Sequence, residues 1–160
     1  MKFSLIDKII EIQPGQSIKA IKNLSLAEEY LQDHFPGFPI MPGVMMVESL
    51  VQTAAWLMRA TEDFKYSVTI MKEAKAVRFN NFVKPGNTLE VECSVHKRED
   101  SEWVFKAAGT VNGTSAVSAR LTLQQFNLAD KNPKMQSSDE NRIVKLQELY
   151  GALWSSPKGE

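Results

Sequence analysis

Between Gly43 and Thr61 the chain carries a helix-length run with almost no polar face. Val44, Met45, Met46, Val47, Leu50, Val51, Ala54, Ala55, Leu57 and Met58 cover it, and Glu48, Ser49, Gln52 and Thr53 are the polar exceptions before Arg59. A helix that is apolar nearly all round has to be enclosed by the rest of the molecule. Its start is set by chemistry. Pro36, Gly37, Pro39 and Pro42 keep the preceding segment extended or turning, and Pro42 falls at the first helical turn, where a missing N–H costs nothing.

The remainder of the chain supplies strands to do the enclosing. Residues 3–12 and Ser17–Asn23 read as a hairpin about the Gln13-Pro14-Gly15-Gln16 turn, and 25–31 as one or two helical turns. Residues 67–82 carry one or two strands, followed by a turn at Lys84-Pro85-Gly86-Asn87. From Thr88 to Lys97 the alternation is clean, with Leu89, Val91, Cys93 and Val95 on one face and Glu90, Glu92, Ser94 and His96 on the other. Trp103, Phe105 and Ala107 mark the next strand. Asn112-Gly113 is a strong hairpin signal, and Val117, Ala119, Leu121 and Leu123 mark the last strand.

One buried helix and about six antiparallel strands, each with one apolar face, pack economically in one way: the sheet curves around the helix. The expectation is an α+β hot-dog domain over residues 1–126. Residues 127–160 are expected to form a loose polar linker and a short amphipathic helix bearing Ile143, Leu146, Tyr150 and Leu153.

Composition narrows the function. Nineteen Lys+Arg balance nineteen Asp+Glu, which argues against a general nucleic-acid binder. The single Cys excludes an internal disulfide and a Cys-rich zinc site. No apolar run reaches ~18 residues, so no membrane span is expected. The first residues meet a charge at Asp7 too early for a signal peptide, so the expected compartment is the cytoplasm. No Gly-x-Ser-x-Gly elbow and no Gly-rich phosphate loop occurs. His96, on the polar face of its strand, reads as a solvated side chain, and Cys93 as a small buried hydrophobe.

The chemistry concentrates in residues 34–48, HFPGFPIMPGVMMVE. Glu48 is a carboxylate on a helix otherwise apolar, so it needs a partner or a proton. Gln52 follows at i+4 on the same face and is a candidate to hold it or a substrate group. His34 stands in a loop stiffened by prolines. Gly43 and Val44 present the first amides of the helix, which have no intrahelical partner and carry the positive end of the dipole. A general base, a general acid and amide donors for a developing oxyanion suit proton removal α to a carbonyl. The plainer alternatives are a structural ion pair for Glu48 and a generic loop position for His34.

The stretch His-Phe-Pro-Gly-x-Pro-x-Met-Pro-Gly-Val followed by Glu resembles the signature of bacterial 3-hydroxyacyl-(acyl-carrier-protein) dehydratases. Phe3 to Lys8, Val77-Arg78-Phe79, Val83 to Asn87 and Val111-Asn112-Gly113 support the resemblance, which extends over about residues 3–125. It implies the hot-dog fold, His34 and Glu48 as catalytic residues, and a Gly43 amide on the thioester carbonyl. It also implies removal of water from a (3R)-3-hydroxyacyl thioester to give the trans-2-enoyl thioester, with no metal or organic cofactor. The partner implied is acyl carrier protein, and the assembly is a homodimer with sites shared between subunits, in some members a trimer of dimers. Glu48, where the dehydratase/isomerase branch has Asp, favours a plain dehydratase. Phe38, Phe82 and Asn87 depart from the family's usual polar residue, Pro and Asp. A hot-dog thioesterase, a coenzyme-A-linked enoyl hydratase and a non-catalytic acyl-binding subunit remain the alternatives.

Charge is uneven along the chain. Residues 65–84 hold five cations against Glu73 alone, a net +4. Arg78 and Lys84, nearest the Pro85-Gly86 turn, are the candidates for docking an acidic carrier.

Overall fold

The apolar run forms one unbroken helix, α1 (Gly43–Thr61), entered from Pro42 in an extended conformation. A computed structural model of the protein describes residues 3–155. Six strands surround α1: β1 (Lys8–Gln13), β2 (Ser17–Asn23), β3 (Val68–Phe79), β4 (Thr88–Glu99), β5 (Glu102–Val111) and β6 (Thr114–Phe126). They pair antiparallel in a single sheet of order β1-β2-β4-β5-β6-β3. The long central strands β4, β5 and β6 and the shorter β2 lie against α1. The alternation read from β4 to β6 is the alternation of burial: Leu89, Val91, Cys93, Trp103, Phe105, Val117, Leu121 and Leu123 are all inside. They meet Met46, Leu50, Ala54, Leu57 and Met58 of α1. Truncating Leu50, which is fully buried, removes part of this contact and leaves a cavity, a change that usually costs about 2–5 kcal/mol.

Ser49 and Thr53 of α1 are satisfied without leaving the core. The Ser49 hydroxyl donates to the Met45 carbonyl at 3.0 Å and the Thr53 hydroxyl to the Ser49 carbonyl at 2.8 Å. Burial pushes the Cys93 thiol up, with the Glu92 charge adding to it, and the thiol donates to the Leu50 carbonyl. It is a core group and not a nucleophile. The β5–β6 hairpin turns at Asn112-Gly113 with positive φ at both residues, 51° and 78°, as a two-residue type I′ turn requires.

Two local expectations change and a third is narrowed. Residues 3–7 are not part of β1; their backbone is bound by a side chain of α1 instead. The helical turn expected over 25–31 is a single 3-10 turn at Glu29–Gln32. The segment 67–82 is one strand, β3, irregular at Met71/Glu73 and Lys75/Arg78 and with Ala76 at φ 51°. It forms the open edge of the sheet next to β6 and is mostly exposed.

The loose linker expected after residue 126 is, in the structure, a fastened segment. Two short 3-10 turns, Leu128–Asp130 and Pro133–Met135, lead into α2 (Gln136–Leu153). Polar composition here serves hydrogen bonding to backbone. The buried Asp139 carboxylate accepts from the amides of Leu128 at 2.9 Å and Ala129 at 2.8 Å and from the Ser67 hydroxyl. The Asn127 side chain accepts from the Ser67 amide and donates to the Lys65 carbonyl. Further along, the Tyr150 ring packs 6.0 Å from Trp56 and 5.4 Å from Phe64, so α2 closes the C-terminal end of α1.

Asp139 makes this closure pH-sensitive. Burial works to raise its carboxyl, but the hydrogen bonds from Ser67, Ala129 and Leu128 and the nearby Arg142 charge outweigh it and hold the group below the usual carboxylate range. A depressed folded value means the contribution is complete above the unfolded value, near 4, and is lost as pH falls through the folded one. Acid titration should therefore release α2 only below about pH 4, seen as a change in Trp154 and Tyr150 fluorescence. Asp139→Asn should show α2 loosened already at neutral pH, with that acid step absent.

Candidate active site

The proline loop and the start of α1 enclose a groove of about 760 Å³. His34, Met41, Gly43, Val44, Met46 and Phe79 are among the residues that line it. The loop is held at three points. Phe35 and Phe38 exchange backbone hydrogen bonds across Pro36-Gly37, the Ile40 amide donates to the His34 carbonyl at 3.0 Å, and the Met41 amide donates to the Val83 carbonyl at 2.9 Å.

His34 is placed by this loop. Its Nδ1 lies 2.9 Å from the Ile40 carbonyl oxygen. A carbonyl can only accept, so Nδ1 carries the hydrogen and the neutral ring keeps its free electron pair on Nε2. The ring stacks on Phe35 with centroids 4.2 Å apart. The half-buried imidazole is thus oriented, with one nitrogen anchored and the other available to take a proton.

Gly43 and Val44 line the same groove. The first hydrogen bonds of α1 run from the Met45 and Met46 amides to the Pro42 carbonyl, which leaves the Gly43 and Val44 amides at the open positive end of the helix. Glycine at 43 permits a close contact: a Cβ there would lie 2.9 Å from two ring carbons of Phe79 and push that ring aside. The Phe79 ring thereby covers the helix start. In the sequence Phe79 reads only as part of the mid-sheet segment; the signal for its place here is the bare glycine at the helix start.

Glu48 does not line this groove. It is five residues beyond Gly43, which at 3.6 residues per turn puts it well around the helix from it. Its Oε1 accepts from the Gln52 amide nitrogen at 3.1 Å, the i+4 pairing expected. Gln52 is otherwise occupied: its Nε2 also donates to the Phe3 carbonyl at 3.1 Å and its Oε1 accepts from the Leu5 amide at 2.8 Å. Gln52 therefore positions Glu48 and pins residues 3–5. Within one chain the structure joins His34 to Gly43 and Val44, and Glu48 to Gln52, as two separate groups.

The two docking candidates also separate. Lys84 is at the groove mouth, its Nζ 5.2 Å from the Phe38 ring centroid, and Phe38 packs edge-on to the groove residue Phe82. Arg78 precedes Phe79 on β3 and points to the opposite, outer face of the sheet, among Lys75, Lys106 and Arg120.

A curved antiparallel sheet around one central helix, with a histidine and the first helix amides lining one groove, defines a hot-dog domain. Residues 1–120 match the FabA-like domain family. The chain is 38% identical over 118 residues to the 3-hydroxyacyl-(acyl-carrier-protein) dehydratase FabZ of Latilactobacillus sakei subsp. sakei (strain 23K), covering 74% of this chain and 84% of that protein. It is 37% identical over 132 residues to the enzyme of the same name from Janthinobacterium sp. (strain Marseille), covering 81% and 85%. Among solved structures, the dehydratase heterocomplex ApeI:P from Xenorhabdus doucetiae superposes with a TM-score of 0.68 at 17% identity, covering 84% of this chain and 90% of that one. The chain belongs to the 3-hydroxyacyl-(acyl-carrier-protein) dehydratase family.

Proposed function

We propose that the protein dehydrates (3R)-3-hydroxyacyl thioesters on acyl carrier protein, giving the trans-2-enoyl thioester in fatty acid synthesis. The observation that carries the mechanism is the anchored His34 beside the Gly43 and Val44 amides in one apolar groove. The thioester carbonyl accepts from those amides, so that negative charge developing on its oxygen is stabilised as the α C–H bond breaks. His34 Nε2 takes the α-proton. Glu48, held by Gln52, gives a proton to the 3-hydroxyl, the C–O bond breaks, and water leaves as the Cα–Cβ double bond forms.

Because Glu48 is absent from the groove of its own chain, the reading takes it from a second subunit. The exposed edge strand β3, which presents Ile70, Met71, Val77 and Phe79, supports this, since an open edge is a template for pairing with another chain. The reading is thus of a cytoplasmic homodimer with two shared sites, and of hexamers as trimers of such dimers. Purified protein should form the enoyl thioester from a synthetic 3-hydroxyacyl carrier substrate, followed by mass spectrometry. Release of free thiol would mean a thioesterase, and neither product would mean an acyl-binding subunit.

Lys84 is the cation at the groove mouth and the one to face an acidic carrier. Lys84→Glu should raise KM for carrier-bound substrate by about fivefold, the scale of an exposed charge pair, and leave a short pantetheine thioester unaffected. The difference should shrink as salt rises, because exposed charges are screened within ~10 Å at 0.1 M. Equal losses on both substrates would show that Lys84 shapes the groove instead.

A further inference from the structure

β2 carries a lysine where its pattern calls for an apolar residue. Ile18, Ala20 and Lys22 form the buried face of the strand, and Lys22 is only 5% exposed. An ammonium is rarely buried unless it is paired. Its Nζ lies 2.8 Å from Glu28 Oε1 and 3.6 Å from Asp7 Oδ2. The two carboxylates belong to different parts of the site. Asp7 ends the segment 3–7, whose Phe3 carbonyl and Leu5 amide are bound by the same Gln52 side chain that holds Glu48. Asp7 is itself fixed to β2: its amide donates to the Ile21 carbonyl at 2.7 Å, and its Oδ2 accepts from the Asn23 amide at 2.6 Å. Glu28 immediately precedes the 3-10 turn Glu29–Gln32, which runs through Asp33 into His34. Within that turn Leu31 is buried, and its amide donates to the Glu28 carbonyl at 3.1 Å. The Tyr30 hydroxyl is shut off from solvent near the same cluster, where burial pushes it up and the Glu28 and Asp7 charges add to the effect.

We propose that Lys22 is a positioning residue for both proton-transferring side chains. Through Glu28 it sets the turn that delivers His34, and through Asp7 it sets the segment that shares Gln52 with Glu48. The strand suits the task, because β2 is hydrogen-bonded on both sides, to β1 and β4, whereas 3–7 and the turn before His34 lie outside the strands. The inference rests on the reading of His34 and Glu48 as base and acid of sites shared between two subunits. Under that reading one lysine serves two different sites, and each site depends on the lysines of both chains. A displacement of about 1 Å in a reacting group can cost as much as ~10²-fold in rate, so modest slackening of either contact is enough to be measured.

The test uses the full chain and two variants, Lys22→Met alone and Lys22→Met with Glu28→Gln. The second leaves no unpaired carboxylate at the shorter contact, and Asp7, 39% exposed at its side chain, can turn to solvent, so it keeps the test open where the single variant folds poorly. With unchanged circular dichroism, both should lose about tenfold in kcat with KM little changed, because the groove is intact and the reacting groups are displaced. Lys22→Arg, which keeps a cation between the carboxylates, should recover most of the loss. Hybrid dimers of His34→Ala and Glu48→Gln chains then sort the effect by side, since their one intact site takes His34 from one chain and Glu48 from the other. Glu28→Gln should lower the recovered activity about threefold only on the chain that gives His34, Asp7→Asn only on the chain that gives Glu48, and Lys22→Met on either. A general loss of stability would not divide by chain in this way. Unchanged kcat in the folded Lys22→Met/Glu28→Gln protein would overturn the proposal, as would Glu28→Gln or Asp7→Asn acting equally from both chains. Hybrids inactive even with Lys22 intact would refute the shared site instead. The kcat of the Lys22 variants alone would then decide, a fall at constant KM upholding the positioning role and no change overturning it.

Discussion

His34→Ala is expected to lower turnover of a 3-hydroxyacyl carrier substrate by ~10²-fold or more, and Glu48→Gln to do the same, each in protein that folds normally. The two losses have different signatures. His34 holds its Nδ1 hydrogen against the Ile40 carbonyl, so its removal takes away an oriented base together with one loop contact. Glu48→Gln keeps the size of the side chain and its place beside Gln52. It removes the carboxyl group that can give up a proton, so KM should stay close to the wild-type value while kcat falls. Thermal melts of both variants should stay close to the wild type, because both side chains are only partly buried. Near-normal dehydration by either folded variant would remove that residue from the mechanism.

Mixing the two inactive variants should restore activity. If one site draws His34 from one subunit and Glu48 from the other, a hybrid dimer holds one site with both intact and one with neither. Random exchange of equal amounts makes half the dimers hybrid, so about a quarter of wild-type activity is expected in a symmetric two-site dimer. The measurement needs proof of exchange, by native mass spectrometry of differently tagged chains. No recovery after proven exchange would place both residues in one chain's site, which the single chain's geometry argues against: Glu48 lies off the groove that His34 lines.

The parts legible in advance are those where one physical cause dominates. Pro42 and an apolar run fix α1 at Gly43–Thr61 because nothing else can begin or fill that helix. The alternation in β4 to β6 is legible because one face is fully buried and the other is wet. The Glu48–Gln52 hydrogen bond follows from i,i+4 spacing alone. β3 resists such reading because, as an exposed edge, it lacks a buried face to enforce period two, and its two irregularities and the positive φ of Ala76 break the pattern further. The tail was misjudged for a different reason. Asp139 and Asn127 look like solvated residues in a list, yet their acceptors and donors are spent on backbone groups up to 62 residues away in sequence and on the Ser67 hydroxyl. The separation of Glu48 from His34 was legible only through the family resemblance, since fourteen residues of loop and helix leave the side-chain directions open.

The Gln52 amide has a practical consequence. Among the described residues it joins the Glu48 carboxylate to the backbone of Phe3 and Leu5. Whatever disturbs the first few residues is therefore transmitted, through the hydrogen bonds of Gln52, to the Glu48 carboxylate, the acid of the proposed mechanism. An affinity handle fused ahead of this segment, or a protease that trims it to beyond Leu5, would act as an unintended active-site lesion, and preparations made that way would understate the enzyme.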